Sequence, residues 1–202
     1  KLFKKVEFKK SWYLAIDKFC KRKKIEFITS VADIKSTDEY LKTRRKIIKV
    51  ASEDIINYPL LKYLSGLKNK IFILSTGMAN NFEIQKAIKI FKKNKIILMH
   101  CVSLYPTSIN EANLDRITIL RKKYNLEVGY SDHTLGLEAL KVAASMNCYI
   151  FEKHFTLSKK LNGPDHHMSI NPLELKKIIQ KIKKIYSLKG NGEIGPINRQ
   201  LI

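Results

Sequence analysis

Residues 71–99 read IFILSTGMANNFEIQKAIKIFKKNKIILM, and their pattern indicates how the chain folds. Two short apolar runs, 71–74 and 96–99, have the length of strands, and apolar residues recur every three or four positions between them, over 81–91. That spacing is typical of an amphipathic helix, so the stretch predicts a strand–helix–strand unit. Strands joined by such a helix pair in parallel, within a sheet that is covered on both faces.

The same rhythm runs through most of the chain. Short runs rich in β-branched and aromatic residues alternate with helical periodicity, and no Pro- or Gly-rich linker divides them. The predicted strands are residues 25–28, 46–50, 71–74, 95–100, 126–129 and 148–152. The predicted helices are residues 10–22, 37–43, 59–65, 81–91, 113–124, 135–145 and 172–186. This alternation indicates an α/β fold built on a parallel sheet.

Polar residues gather directly after each predicted strand, as in Ser75-Thr76-Gly77 and Ser131-Asp132-His133. Ligands bind at the carboxyl ends of parallel strands. A doubly wound sheet carries ligand-binding polar residues only in the turns beside its switch point. A TIM (β/α)8 barrel instead brings all its strand–helix loops to one mouth, but it needs eight units and about 250 residues. Because all six predicted strands are followed by polar turns, we predict an incomplete barrel of about six parallel strand–helix units, with an open sheet.

Charge is the other prominent property of the sequence. Its 202 residues include 39 Lys and Arg against 18 Asp and Glu, a net charge of +21 that is typical of nucleic-acid-binding proteins. Only six of the 39 are Arg, the residue that makes bidentate phosphate contacts. Many Lys residues lie in amphipathic stretches such as 87–93 and 175–184, which predict solvated helix faces. We therefore expect a Lys-rich exterior and no nucleic-acid partner.

Three further features bear on where the protein acts. No apolar run approaches the roughly 18 residues of a membrane span. Residues 1–5 lead into more charge rather than into the apolar core of a secretory signal. Cys20, Cys101 and Cys148 are scattered without Cys-x-x-Cys spacing, which suits a reducing compartment. We expect a cytoplasmic protein with no membrane partner.

Two histidines stand just past the ends of neighbouring predicted strands. His133 and His154 are 21 residues apart with one helix between them. Adjacent parallel strands lie about 4.8 Å apart, so both imidazoles can reach one point above the sheet. Two imidazoles with oxygen ligands suit Mn, Fe, Co or Zn with open positions. Two loop histidines hydrogen-bonded to backbone would show the same spacing, so both interpretations stay open.

A series of longer motifs gives the sequence a family resemblance. They are KVAS (49–52), NYPLL (57–61), ILSTGM (73–78), HCVSLYP (100–106), GYSDHTLG (129–136), EKHFTL (152–157) and GPDH (163–166). In this order, over about residues 25 to 170, the chain resembles the sialic acid synthase (N-acetylneuraminate synthase) family, which includes pseudaminic and legionaminic acid synthases. Those enzymes condense phosphoenolpyruvate with an N-acylated hexose to give nine-carbon nonulosonic acids.

The resemblance implies a set of site residues. The family's metal ligands, usually for Mn²⁺, fall on His133 and His154. Its phosphoenolpyruvate-binding positions fall on Lys49, Ser52, Ser75, Ser103 and Ser131. Its sugar-binding positions fall on Asp54, Tyr105 and Asp165. A trianionic ligand does need a Lys charge and hydroxyl donors, and the implied catalytic residues are Lys49, His133 and His154.

Several of these positions also have a purely structural interpretation. Ser52 and Ser75 could cap the helices that follow them, and Tyr105 could be a packed loop aromatic. Lys49 ends an apolar strand and is one of many lysines. His100 lies inside a predicted strand, so we expect a packed or supporting group there rather than a metal ligand.

The activity that the resemblance implies is metal-dependent condensation of phosphoenolpyruvate with N-acetylmannosamine and water, giving N-acetylneuraminate and phosphate. A pseudaminic or legionaminic acid synthase, with another N-acylated hexose, is the first alternative because these enzymes share nearly all the motifs. A non-catalytic fragment or a basic interaction protein is the second.

Full-length members of the family begin with two further strand–helix units and end in a small antifreeze-like domain. This domain caps the site of the partner subunit in a dimer. We therefore expect residues 1–190 to form a partial barrel and 191–202 to begin the linker to such a domain. The resemblance also implies that the full-length protein is a homodimer.

Overall fold

The computed structural model describes residues 8–190 and 192–194 of the chain. Its α-helices are α1 (Lys10–Arg22), α2 (Ile34–Leu41), α3 (Tyr58–Ser65), α4 (Asn81–Ile90), α5 (Asp115–Tyr124), α6 (Glu138–Ser145) and α7 (Pro172–Lys189). Its strands are β1 (Ile47–Val50), β2 (Ile71–Ser75), β3 (Lys95–His100), β4 (Val128–Asp132) and β5 (Phe151–Lys153). Two 3₁₀ helices, Ser52–Ile56 and Ile109–Glu111, follow β1 and β3.

The five strands form one parallel sheet in the order β1-β2-β3-β4-β5. A doubly wound sheet reverses its strand order at a switch point, whereas a barrel wall adds each strand beside the previous one. The sequential order confirms the predicted α/β fold and identifies an incomplete barrel. All five strands therefore end at the same edge of the sheet.

The register of the sheet sorts the side chains onto two faces. Ile48 pairs with Phe72 and Val50 with Leu74, and these four side chains are fully buried. Phe91, at the end of α4, packs on Phe72 with ring centroids 4.7 Å apart. Successive residues of a strand point to opposite faces, so Lys49, beside Ile48, points away from this apolar layer. The core thus lies between the sheet and its helices, and Lys49 lies on the other face.

Side-chain caps mark the start of α4 and α7. The Asn80 side chain accepts hydrogen bonds from the backbone of α4, and Glu83 bonds back to the Asn80 N–H. Asn171 and Glu174 form the same reciprocal capping box at the start of α7. Each box satisfies two backbone N–H groups that the helix itself leaves unpaired. These caps fix where the turns after β2 and β5 give way to helix.

The predicted strand 25–28 is wrong, and the described residues contain five strands rather than six. Ile25 and Ile28 are 60% and 38% exposed. The chain pairs with the sheet just after this segment, at a single parallel bridge between Ser30 and Lys49. A strand is stabilised by packing one row of side chains, and neither isoleucine finds such a surface here.

The last two strands lie further along the chain than predicted. β4 runs to Asp132, beyond the predicted 126–129, and β5 begins at Phe151 within the predicted 148–152 and continues to Lys153. The pairs Ser131–Glu152 and Asp132–Lys153 extend the ladder between these strands. Apolar patterning does not detect strand ends that are formed by polar pairs of this kind.

No helix in the described part of the chain is both long and apolar enough to cross a membrane. The expected linker 191–202 lies outside the described residues, apart from 192–194.

Candidate active site

Three aromatic rings meet above the carboxyl ends of the strands. The His133 and His154 ring centroids are 5.4 Å apart, in an edge-on arrangement. Tyr105, from the loop after β3, lies against both, with centroid distances of 4.3 Å to His133 and 5.7 Å to His154. We call these three side chains the ring cluster. The two histidines singled out by their spacing are therefore neighbours in space.

The surroundings of His133 fix which nitrogen carries its proton. Nδ1 lies 2.7 Å from the carbonyl oxygen of Val102, and because a carbonyl only accepts, Nδ1 is the donor. Nε2 therefore keeps its lone pair when the ring is neutral. The ring is 6% exposed, and this burial lowers its pKa, which favours the neutral form. A ligating histidine commonly has this arrangement, with its second nitrogen bonded to a backbone carbonyl.

His154 is more open to solvent, with 30% of its side chain exposed. Its Nδ1 lies 3.6 Å from an oxygen of Asp165, a carboxylate that can orient the ring. Within the described residues, no third His, Cys, Asp or Glu joins the pair in a metal-binding arrangement. His133 and His154 could thus hold a divalent cation that takes its other ligands from water or substrate, as an open catalytic site does.

A group of hydroxyls lines the neighbouring part of the mouth. Ser52 Oγ accepts a hydrogen bond from the Gly77 N–H at 3.2 Å and lies 3.1 Å from Cys101 Sγ. The hydroxyls of Ser75 and Ser103 are buried and have no hydrogen-bond partner. A buried polar group without a partner is costly, so these hydroxyls suit a polar ligand. We call Ser52, Ser75 and Ser103 the hydroxyl cradle.

Gly77 allows the cradle to be this tight. A Cβ at this position would lie 2.6 Å from Ser103 Oγ, 2.7 Å from Cys101 Sγ and 3.0 Å from Ser52 Oγ. The Cys101 thiol itself is buried, and desolvation raises its pKa, so it stays protonated and unreactive near neutral pH.

Lys49 and Ser131 both approach the carboxylate of Glu152, a residue to which the family resemblance gives no role. Glu152 Oε1 accepts a hydrogen bond from Ser131 Oγ at 2.7 Å and lies 3.3 Å from Lys49 Nζ. Ser131 and Glu152 are directly paired between β4 and β5, so the register brings them together. Glu152 belongs to the EKHFTL motif, but only the register shows that it faces Ser131.

The next pair along the same two strands lies on the opposite face. Asp132 is completely buried and accepts hydrogen bonds from Tyr130 Oη, the Thr134 N–H and Thr134 Oγ1, and from Lys153 Nζ at 2.8 Å. Lys153 also donates to the Thr134 carbonyl. This ion pair joins the residues immediately before His133 and His154, and so holds together the strand ends that carry them.

The remaining predicted residues are less closely gathered. Asp54 lies in the 3₁₀ helix after β1 and accepts a hydrogen bond from Asn57 Nδ2 at 3.3 Å. Burial raises its pKa, and no ion pair or hydrogen bond among the described residues joins it to the ring cluster. His100 is buried and donates from Nε2 to the Ala112 carbonyl at 2.9 Å, as a packed group does.

The chain is similar in sequence to curated proteins. The chain is 41% identical over 177 residues to the N,N'-diacetyllegionaminic acid synthase of Campylobacter jejuni, which covers 85% of this chain and 53% of that protein. It is 35% identical over 181 residues to the N-acetylneuraminate-9-phosphate synthase of Drosophila melanogaster, covering 88% and 48%. The chain therefore spans about half the length of these curated relatives.

A solved structure and a family profile complete the comparison. The N-acetylneuraminic acid synthetase of Leptospira borgpetersenii, solved with citrate, superposes with a TM-score of 0.90 at 36% identity, covering 96% of this chain and 69% of that one. The profile of the NeuB family matches residues 1–194. Because this match spans nearly the whole sequence and the fold agrees, the chain belongs to the NeuB family.

Proposed function

We propose that the protein is a nonulosonic (sialic) acid synthase that condenses phosphoenolpyruvate with N-acetylmannosamine and water to give N-acetylneuraminate and phosphate. The observation that carries the proposal is the meeting of a hydroxyl cradle and two histidines at one mouth. Ser75 and Ser103 present buried hydroxyls without partners, and His133 presents the lone pair of Nε2. A small anion and a divalent cation are the ligands that these groups would satisfy.

In this proposal phosphoenolpyruvate is held by charge and hydrogen bonds. Lys49 Nζ supplies the positive charge, and the hydroxyl cradle supplies O–H donors for phosphate and carboxylate oxygens. Ser131 donates its proton to Glu152 in the structure, so it would bind the ligand only after exchanging that bond. Asp54, Tyr105 and Asp165 stay the proposed contacts for the hydroxyls and amide of the sugar.

His133 and His154 would hold a divalent ion, most simply Mn²⁺, which when bound supplies Lewis-acid polarisation of the sugar aldehyde. In the reaction, C3 of phosphoenolpyruvate attacks the aldehyde carbon and water adds at C2. The tetrahedral intermediate then loses phosphate by C–O cleavage. Lys49 and the hydroxyl cradle offset the phosphate and carboxylate charge throughout these steps.

The test is phosphate release from phosphoenolpyruvate by the natural protein, with Mn²⁺ and a panel of N-acylated hexoses. We expect release that depends on phosphoenolpyruvate, on the metal and on one of the sugars. If the protein bound neither phosphoenolpyruvate nor Mn²⁺ but bound duplex DNA with a steep salt dependence, it would instead be a basic interaction protein.

A legionaminic acid synthase is the second candidate, with a pseudaminic acid synthase close to it in chemistry. The observation in its favour is the 41% identity to the legionaminic acid synthase of Campylobacter jejuni. The same sugar panel separates the candidates, because a hexose with two N-acetyl groups would then turn over faster than N-acetylmannosamine.

The proposal includes assembly as a homodimer in the cytoplasm, in keeping with the family resemblance. Light scattering on the natural protein tests the dimer. A mass equal to one chain at assay concentrations would contradict it.

A further inference from the structure

Glu152 is unexpected in a mouth proposed to bind a trianion, because a carboxylate repels such a ligand. Its side chain is 39% exposed, so it is neither buried away from the site nor pointing into bulk solvent. One oxygen, Oε1, faces both Ser131 Oγ at 2.7 Å and Lys49 Nζ at 3.3 Å. The cross-strand pairing of Ser131 with Glu152 fixes this contact.

The hydroxyl of Ser131 has one proton and two acceptors within reach. One is Glu152 Oε1 at 2.7 Å, and the other is His133 Nε2 at 3.4 Å. The carboxylate oxygen is both closer and charged, so it takes the proton. His133 Nδ1 already donates to the Val102 carbonyl, which leaves Nε2 with a lone pair and no donor.

We infer that Glu152 is a positioning residue that keeps the Ser131 proton away from His133 Nε2 and so preserves that nitrogen as a metal ligand. Without Glu152, the Ser131 hydroxyl turns to Nε2, and a metal ion must break this hydrogen bond before it binds. The inference rests on the proposed function, because it assigns Nε2 to the metal.

A metal-free measurement tests the proton arrangement by itself. The ¹⁵N resonances of the His133 ring, recorded where the imidazole is neutral, report which nitrogen is protonated and whether the other accepts a hydrogen bond. We expect the wild-type protein to show a protonated Nδ1 and a free Nε2. In Glu152→Ala the Nε2 resonance should shift toward a hydrogen-bonded value, and in the double variant Ser131→Ala/Glu152→Ala it should return.

Mn²⁺ affinity of the apo protein provides the second measurement. We expect Glu152→Ala to weaken binding about tenfold, as the loss of an outer partner of a ligand commonly does. Glu152→Gln keeps an acceptor oxygen for Ser131 and should bind Mn²⁺ within about threefold of wild type. The double variant should bind more tightly than Glu152→Ala, a non-additive result expected for groups in direct contact. Circular dichroism of each variant confirms that it is folded.

The outcomes separate this inference from the proposed function. If Glu152→Ala left the Nε2 resonance and Mn²⁺ affinity unchanged, or if Glu152→Gln were as damaging as Glu152→Ala, the inference would be overturned while the synthase proposal stood. If the wild-type protein showed the expected His133 resonances but bound no Mn²⁺, the metal assignment in the proposed function would fail, and of the inference only the proton arrangement would stand.

Discussion

His133 and His154 carry the proposed metal chemistry, and each offers one nitrogen to it. Within the described residues no third side chain of a metal-ligating type completes the pair, so losing either imidazole leaves a single protein ligand. We expect His133→Ala and His154→Ala each to lower Mn²⁺-dependent phosphate release about 100-fold or more. His167→Ala is the control, because this exposed histidine lies in the adjoining loop, and its activity should stay near wild type. Near-normal activity of either ligand variant would contradict the assignment.

Gly77 should be sensitive to the smallest substitution. The Cβ of Gly77→Ala would press on Ser103 Oγ and Cys101 Sγ and displace the hydroxyl cradle. We expect KM for phosphoenolpyruvate to rise about tenfold, equivalent to about 1.4 kcal/mol of lost binding. Steady-state kinetics over a phosphoenolpyruvate series measures this change.

Gly66→Ala is the matched control for that prediction. A Cβ at Gly66 would meet only the Tyr63 carbonyl, at 3.4 Å, and Gly66 has an ordinary negative φ of −77°. Its KM should stay near the wild-type value. Equal effects of the two substitutions would mean that Gly77 has no special relation to the anion.

Single residues also show what sequence alone could foresee. The spacing of His133 and His154 past two neighbouring strands was enough to predict that their rings approach each other, and the structure brings them together. The contact of Glu152 with Ser131 could not be predicted in this way. It depends on the register between β4 and β5, which apolar patterning does not specify at polar strand ends. The contact between Glu152 and Ser131 is therefore visible only in the structure.

The ends of β4 and β5 are joined by the Asp132–Lys153 ion pair, whose side chains are 0% and 6% exposed. Removing one partner of a buried pair leaves an uncompensated charge, so Asp132→Ala should lower the free energy of unfolding by about 3 kcal/mol or more. Glu138→Gln is the control, because the Glu138 side chain is 76% exposed and its pair with Lys141 should contribute less than about 1 kcal/mol. Urea unfolding followed by circular dichroism measures both. Similar losses would mean that the buried pair does not clamp the strands.

The end of β3 should make stability depend on pH. Burial lowers the pKa of His100, so the folded protein resists protonating it while the unfolded chain takes up a proton near pH 6.5. Its contribution to stability is therefore complete above about pH 6.5 and is lost as pH falls toward the lower folded pKa. We expect a slope of at most about 1.4 kcal/mol per pH unit from this group.

Urea unfolding at a series of pH values tests this expectation. His100→Gln can keep the hydrogen bond to Ala112 but cannot titrate, so its stability should vary less between about pH 5 and pH 7. Parallel curves for the two proteins would assign the acid sensitivity to other groups, such as the buried imidazole of His133.

Helices and central strands were predictable because their apolar periods are strong, as α1 and β3 show, whose observed bounds equal the predicted ones. The segment 25–28 was misleading because apolar character predicts a strand only where a surface exists to bury it. At β4 and β5 the error came from ladder pairs made by a hydroxyl and charged groups.

The net charge of +21 gives the whole molecule a positive electrostatic field. A field of this sign should speed the encounter with an anionic substrate, and dissolved salt screens it. We expect kcat/KM for phosphoenolpyruvate to fall several-fold as ionic strength rises, with kcat at saturating substrate changing less. A salt series of initial rates measures this, and equal falls in both constants would indicate an effect on the chemistry rather than on encounter.

The sequential parallel order of the strands was predictable from the polar turns that follow every strand. Such turns are expected when all strands end at one mouth. The number of strands was not predictable, because segment 25–28 would form an edge strand only if a surface beside it could bury its side chains.

The alternating pairs Ser131–Glu152 and Asp132–Lys153 have a consequence for folding fidelity. They are adjacent rungs of one ladder that face opposite sides of the sheet. If β5 slipped by one residue, Lys153 would move to the side of Lys49, and Glu152 would enter the apolar layer beneath α6 and α7. Both changes are electrostatically unfavourable, so the charges of this short strand favour the native register over a one-residue slip.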